Sequence, residues 1–515
     1  MQITQSLHRA CQQDPDRPAS IHAGRVRTMV EVLDRVSRFA GALRELGVRT
    51  DDRVGMLSLN SDRYHEFLLA TPWADAVFTP VNVRWTAAEI GYALRESDTR
   101  VLLVDQTFAP MVTALRAEFP GLEKVVYTGD DDVPDGMLGY EELVAGADPV
   151  EDAGRGGEQM AGLFYTGGTT GAPKGVMLSH DNMVVSALGS LATNDFFTTR
   201  GRLLHAAPMF HMADVAAWVA GMLVGSTHVI VPSFTPAGVL SAISGDRVTD
   251  TLLVPTMIQL LVDHPDVADH DLSSMQHIVY GASVISDAVL ERARKVFSTA
   301  RFTQAYGMTE LSPVTTLLLP DEHDDPVLRR GAGRAVPHAE VRIVDPDDNE
   351  VPRGTVGEIV ARGDHVMLGY WQRPQETAEA LRGGWMHTGD GGYMDEKGYV
   401  FVVDRIKDMI ITGGENVYSA EVENALARHP AVATCAVIGV PDEQWGERVH
   451  AVVVLQQGNT ATARELTDFC RQSIANYKIP RTVAFVDALP MSGAGKILKR
   501  ELRKLHWSAD GRQVQ

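Results

Sequence analysis

Between Tyr165 and His180 the chain reads YTGGTTGAPKGVMLSH, with four glycines, three threonines and one lysine directly behind the apolar run AGLF. Glycines let backbone N–H groups converge on an anion. Hydroxyls of Thr166, Thr169 and Thr170 add donors, and Lys174 supplies charge, so Thr166–Lys174 with Gly167, Gly168 and Gly171 reads as a phosphate cradle. Its order is not that of a Walker A loop, which ends Gly-Lys-Ser/Thr; here Pro173 precedes Lys174 and Gly175 follows it. Three further places carry residue types capable of chemistry. QAYGMTE places an aromatic, a glycine, a hydroxyl and the carboxylate Glu310 together, Asp390 and Arg405 offer a carboxylate and a guanidinium, and Lys496 sits in SGAGKILK, whose glycines permit a loop to enter a cleft. Each taken alone has an ordinary reading: a surface turn, a solvated carboxylate, a salt bridge of Arg405 with Asp404 or Asp408, a solvated lysine.

The elements that position these clusters are legible from periodicity. Thr28 and Glu31 form a capping box before the stripe Val32, Leu33, Val36, Phe39, Ala40, Leu43, and Gly47 closes that helix. RVGMLSL, VFTPVN, VLLVD and KVVYTG read as strands, with a helical stretch from Arg63 and a second capping box from Thr86 to Glu89 between them. The alternation recurs from residue 161 to about 310 through STHVIVP, TDTLLVPT and MQHIVYGAS, with a helix after Ser179. A parallel sheet covered by helices is expected. From residue 331 short strands divided by Asp-Pro, Asp-Asn and Pro-Arg-Gly turns predict a β-rich subdomain to about 404. A compact α+β unit follows, with a helix from Ser419, strands at 432–440 and 448–455, and a helix capped by Thr462 and Glu465. The expected fold is therefore α/β: a large N-terminal domain, 1–404, of stacked α/β subdomains plus the β-rich part, and a small mobile α+β domain, 405–515. The boundary falls in DRIKD, Asp404 to Asp408, which is charged like a hinge rather than Gly/Ser-rich like a slack linker.

Bulk properties narrow the function classes. A chain of 515 residues exceeds one core. Lys+Arg 47 against Asp+Glu 67 gives −20, which argues against nucleic acid or anionic membrane as a partner. Three cysteines, Cys11, Cys435 and Cys470, lack metal-ligand spacing and suggest a reducing cytosol. With no apolar run of transmembrane length, a cytoplasmic protein without integral membrane contact is expected.

Taken together and in order, the clusters resemble the signatures of the adenylate-forming superfamily of acyl-CoA synthetases, luciferases and peptide-synthetase adenylation domains. The loop at 165–180 resembles its phosphate-binding signature, APMFHMAD (207–214) the segment beside the acyl pocket, and QAYGMTE (304–310) the adenine and magnesium motif. GWMHTGD (384–390) resembles the ribose motif, DRIKDMIITGGENVYSAEVE (404–423) the hinge and thiol-access segment, and LPMSGAGKILKREL (489–502) the C-terminal lysine motif. The resemblance implies an ATP-dependent ligase using ATP, Mg²⁺ and coenzyme A on a small carboxylic acid, with self-association into a homodimer left open. It implies that Tyr306, beside Gly307 and Met308, stacks on adenine, that Thr309 contacts phosphate and that Glu310 binds Mg²⁺. Asp390 and Arg405 would take the ribose, and Lys496 would touch ATP phosphate and the acyl carboxylate. His211 would lie near the acyl group, Lys407 would be the pivot, and Gly413, Gly414 and Glu415 would line the pantetheine channel.

These roles suit one chemistry. Attack on a carboxylate piles negative charge on negative charge, and conversion to an acyl-adenylate supplies AMP as a leaving group. The enzyme must hold a triphosphate, bring the acid in line with the α-phosphorus and neutralise developing charge. The 166–175 loop then grips the departing pyrophosphate. One departure is visible, Gly167 where many members carry serine, which removes one hydroxyl and no backbone donor. Phe210 is followed by His211 where amino-acid-activating members carry aspartate, which argues against an amino acid substrate. Met212, Val215, Trp218 and Met222, spaced by three and four, with Gly281 and Ala282, suggest an apolar pocket wall for a fatty or aryl acid, or equally a core stripe. Loading of a carrier protein and a non-catalytic nucleotide-binding scaffold are the competing readings.

Overall fold

The computed structural model describes residues 1–166, 173–283, 285–405, 408–412, 415–442, 444–491 and 497–506. The chain divides into two compact units, Met1–Val341 with Ala361–Met386, and Arg342–Val360 with His387–Gln515.

The larger unit is α/β, as the alternation predicts, and holds two sheets. In the eight-stranded sheet the order runs Gly369–Tyr370, Lys174–Ser179, Met160–Thr166, Val77–Pro80, Arg53–Leu57, Val101–Val104, Lys124–Tyr127, Leu138–Gly139. It is parallel from Met160–Thr166 onward and antiparallel at the other edge. The nine-stranded sheet has a parallel centre, with Arg301–Tyr306, His277–Gly281, Asp250–Leu253, Arg202–His205 and Thr227–Ile230 adjacent in that order. Its far edge is the hairpin Pro18–His22 and Arg25–Thr28, so the first strands of the chain join the second sheet and not the first.

Local signals behave as their chemistry requires. Both capping boxes form: Thr28 and Glu31 open Met29–Glu45, and Thr86 and Glu89 open Ala87–Glu96. Gly47 takes φ +95° just past the first of these helices. Ser179 caps His180–Leu191. The helix Asp62–Trp73 is buried at every residue, charged ones included. Its carboxylates are met rather than left bare: Arg25 donates to Asp62 at 3.0 Å, and Arg35 and the Tyr140 hydroxyl donate to Glu66, both at 2.7 Å.

The smaller unit contains most of the sheet Glu340–Val344, Gly357–Arg362, Met386–Met394, Val400–Arg405. After it come the strands Ile410–Thr412, Glu415–Val417, Val432–Asp442, Gly446–Leu455 and Thr482–Phe485, with the helices Ser419–Leu426, Ala463–Cys470 and Lys499–His506. The helix Ala463–Cys470 carries the expected Thr462–Glu465 box. Among the described residues no helix is long and apolar enough to cross a membrane.

Candidate active site

The strands on either side of the glycine-rich stretch pair with each other. Met160–Thr166 pairs antiparallel with Lys174–Ser179, Thr166 opposite Lys174 and Tyr165 opposite Gly175. This differs from a strand-to-helix phosphate loop: a six-residue strand separates the loop from the helix His180–Leu191, so that helix N-terminus is not the anion site. Gly167, Gly168, Thr169, Thr170 and Gly171 lie outside the described residues. The hairpin base is braced. Tyr165 donates to Glu96 Oε2 at 2.6 Å, Arg373 reaches Glu96 Oε1 at 3.1 Å, and Trp371 Nε1 donates to the Glu96 carbonyl at 3.0 Å.

The second motif leaves the carboxyl end of a parallel strand, where open α/β sheets bind ligands. Arg301–Tyr306 ends at Tyr306, and Gly307 follows with φ +156°. A Cβ at Gly307 would lie 1.8 Å from the Pro313 carbonyl oxygen, so only glycine fits there. The chain then winds through the 3-10 turn Thr309–Leu311, in which Met308, the capping position, and Thr309 remain half-buried while Glu310 is only 7% exposed. Next to it the neighbouring parallel strand His277–Gly281 ends with Gly281 opposite Ala305, and Ala282 sits in left-handed backbone at φ +68°.

The structure brings Lys174 and Glu310 to one residue that the sequence reading did not single out, Tyr370. Its hydroxyl donates to Glu310 Oε1 at 2.9 Å, and Lys174 Nζ lies 5.1 Å from its ring centroid. Burial, and then the Glu310 charge, raise the Tyr370 phenol far above its usual range, so it stays a donor. Nothing in the local sequence marks it: its partners lie 60 and 196 residues away, and its strand is two residues long.

His211 caps the helix Met212–Val224, its Nδ1 accepting the Ala213 N–H at 3.2 Å. A second unanticipated residue, Asn60, holds the segment before it. The Asn60 side chain accepts from Met209 N–H at 2.8 Å and donates to the Ala207 carbonyl at 2.9 Å. The pocket-wall expectation for Met212, Val215, Trp218 and Met222 meets a different environment. Almost the whole helix is buried, not one face, and Trp218 is fully enclosed, donating to His65 Nδ1 at 2.8 Å. In a helix buried nearly all round, three- and four-residue spacing carries no facial information and does not separate pocket wall from core.

In the smaller unit Asp390 lies on Met386–Met394, in backbone register with Arg405 across from it. Thr388 Oγ1 accepts the Asp390 N–H at 3.1 Å, and Gly389, at φ +70°, donates to Glu358 at 3.0 Å, which shapes the turn before Asp390. Glu415 opens the strand Glu415–Val417. Lys407, Gly413, Gly414 and Lys496 fall outside the described residues.

For Mg²⁺ the donor set fits. Among the described residues no three His, Cys, Asp or Glu side chains are grouped to cage a metal, and Glu310 offers a single carboxylate. Mg²⁺ in nucleotide sites is held in this manner, by one or two carboxylates with substrate phosphates and water.

The chain resembles known proteins over nearly its whole length. The profile described as AMP-binding enzyme matches residues 7–371, and that described as AMP-binding enzyme C-terminal domain matches 421–496. A feruloyl-CoA synthase from an Amycolatopsis species is 40% identical over 503 residues, 96% of this chain and 97% of that protein. The fatty acid–[acyl-carrier-protein] ligase ScoC of Streptomyces coeruleorubidus is 36% identical, covering 99% of this chain and 97% of its own. The crystal structure of the anthranilate CoA ligase AuaEII in complex with anthranoyl-AMP superposes with a TM-score of 0.91 at 28% identity, covering 98% of this chain and 97% of that one.

Proposed function

Since the chain belongs to the AMP-binding enzyme family, we propose that it is an ATP-dependent acid–thiol ligase acting on a fatty or aryl carboxylic acid. In the first step a carboxylate oxygen bonds to the α-phosphorus of ATP and the bond to the β-phosphate bridging oxygen breaks, giving acyl-AMP and pyrophosphate. In the second the CoA sulfur bonds to the acyl carbon, AMP leaves with the carboxylate oxygen, and the thiol proton passes to solvent.

The observation that carries this reading is the meeting of Lys174, from the phosphate hairpin, and Glu310, from the end of Arg301–Tyr306, on Tyr370. A cation over the ring and a carboxylate at the hydroxyl of one tyrosine suit a metal–triphosphate. Lys174 and the loop hold the β- and γ-phosphates, Thr309 takes an α-phosphate oxygen, and Tyr306 stacks on adenine. Glu310 would hold Mg²⁺, which would supply positive charge against that of the phosphates. Asp390 and Arg405 take the ribose hydroxyls, and Lys496 neutralises charge at the α-phosphate during adenylation. His211 borders the acyl group, with Gly281 and Ala282 beside it. For the thioester step the small domain turns about Lys407, withdraws Lys496 and presents Gly413, Gly414 and Glu415 to the pantetheine arm. The domain boundary in Asp404–Asp408 belongs to this proposal, as does a cytoplasmic location.

The relatives support the substrate class from two sides, since one is named for an aryl acid and another for a fatty acid. The second also favours an alternative acceptor, the phosphopantetheine thiol of a carrier protein in place of CoA. The test is AMP release from ATP and Mg²⁺ across aryl and aliphatic acids of increasing length, with CoA or a phosphopantetheinylated carrier protein. CoA-dependent AMP release with an aryl or fatty acid is expected. Release with the carrier alone would replace the acceptor, and release with none of the acids would overturn the function.

A further inference from the structure

We propose that Tyr370 is a positioning residue that aims the Glu310 carboxylate at the metal and ties it to the phosphate hairpin. The inference rests on the function proposed above and assigns one of its parts. The segment 367–371 is clipped to both motifs along its length. Met367 N–H donates to the Glu310 carbonyl at 2.9 Å, Leu368 N–H to the Met177 carbonyl at 2.9 Å, and Trp371 N–H to the Gly175 carbonyl at 2.7 Å. Gly369 and Tyr370 thereby add a short antiparallel strand to the hairpin, opposite Met177 and Val176. The backbone of Tyr370 is pinned further by its own N–H, which donates to Thr377 Oγ1 at 2.9 Å.

With the backbone fixed at both ends, the side chain has one place to go. Its hydroxyl engages Glu310 Oε1 at 2.9 Å while the ring face receives Lys174 Nζ at 5.1 Å. A residue needed only for packing would require the ring and not the hydroxyl. The hydroxyl instead spends its proton on one oxygen of a carboxylate that is 7% exposed, which sets the rotation of that carboxylate. The strand that bears Lys174 and the Glu310 carboxylate are thereby coupled through one side chain.

The variant Tyr370→Phe removes the hydroxyl and leaves ring, strand and Lys174 contact. Two readouts are compared with the unaltered full-length protein: acid-dependent exchange of pyrophosphate into ATP against free Mg²⁺, and calorimetric binding of the non-reacting analogue α,β-methylene-ATP against free Mg²⁺. A hydrogen bond to a charged group predicts that half-saturating Mg²⁺ rises about 10-fold in both, with exchange recovering at high Mg²⁺. In a Glu310→Gln background the same change should add almost nothing, because the group it positions is gone. A Mg²⁺ requirement within twofold of the parent overturns the inference, and so does an effect that adds in full to that of Glu310→Gln, which marks a purely structural role. If the parent shows no acid-dependent exchange, the function proposed above fails, and the binding titration still decides the role of Tyr370.

Discussion

Two regions of the larger unit are rich in ionisable side chains, and they use them in opposite ways. At the strand ends Lys174, Tyr370 and Glu310 meet where one sheet's hairpin edge approaches the carboxyl end of the other's parallel strands. Around the helix Met212–Val224 a second set, His65, His205, His228 and Asp214, is no more than 1% exposed. Asp214 bonds His205 Nδ1 at 2.8 Å, His205 Nε2 bonds His228 Nδ1 at 2.8 Å, and Trp218 donates to His65. Residue type does not tell the two apart; a histidine beside an aspartate is as much the material of catalysis as a lysine near a glutamate. Burial does. Lys174 and Tyr370 keep part of their surface exposed, whereas groups sealed in the core can only satisfy one another. The first set should therefore govern rate and the second stability.

The largest effect that sharpens this contrast is on the site side. Lys496→Ala should lower acid-dependent ATP–pyrophosphate exchange about 10²–10³-fold, as for loss of one transition-state donor. It should spare thioester formation from supplied acyl-adenylate and CoA. Lys407→Pro should do the reverse, keeping much of the adenylation while acyl-adenylate accumulates, because proline would fix φ at the proposed pivot. Equal loss of both half-reactions in either variant would break the assignment of the two steps to two arrangements.

The core side predicts a pH effect. Burial, with the nearby His205 adding to it, pushes His65 down from 6.5 to about 3, so it folds neutral. In the unfolded chain the same imidazole takes up a proton near its ordinary value. The unfolded state therefore binds more protons between these two values, and the stability from keeping His65 neutral is complete above pH 6.5 and lost as pH falls toward 3. At pH 5 the loss from His65 is about 2 kcal/mol. Denaturant unfolding at pH 7 and pH 5 checks it, and His65→Leu should reduce the slope, leaving the part due to His228, which burial also pushes down, even while lowering stability at pH 7. A slope unchanged by that variant would remove His65 from the account.

The smallest effect separates core from pocket wall. Trp218→Phe removes the bond to His65 and should cost about 1–2 kcal/mol of stability with the acid preference unchanged. A shift in preferred acid length would return Trp218 to the pocket.

Much of the frame was legible because it is local. The boxes at Thr28–Glu31, Thr86–Glu89 and Thr462–Glu465 are four-residue statements, and each one forms. Gly307 was legible within QAYGMTE as part of a motif, and its steric reason, the Pro313 carbonyl, appears only in three dimensions. What stayed hidden depends on pairing between distant segments. Nothing local in residues 18–22 or 160–166 says which sheet each joins, and the antiparallel pairing of Met160–Thr166 with Lys174–Ser179 is a matter of register, which periodicity does not encode. Tyr370 and Asn60 were hidden for the same reason. Each acts on a segment more than fifty residues away, and neither stands in a pattern of its own.

The central claim is that the carboxylate attacks the α-phosphorus and leaves its oxygen on AMP. It is tested most directly by supplying a substrate acid labelled with ¹⁸O in both carboxyl oxygens, with ATP, Mg²⁺ and CoA, and weighing the products by mass spectrometry. The account predicts one ¹⁸O in AMP, one in the acyl-CoA and none in pyrophosphate. Label in pyrophosphate or inorganic phosphate, or formation of ADP in place of AMP, would contradict it.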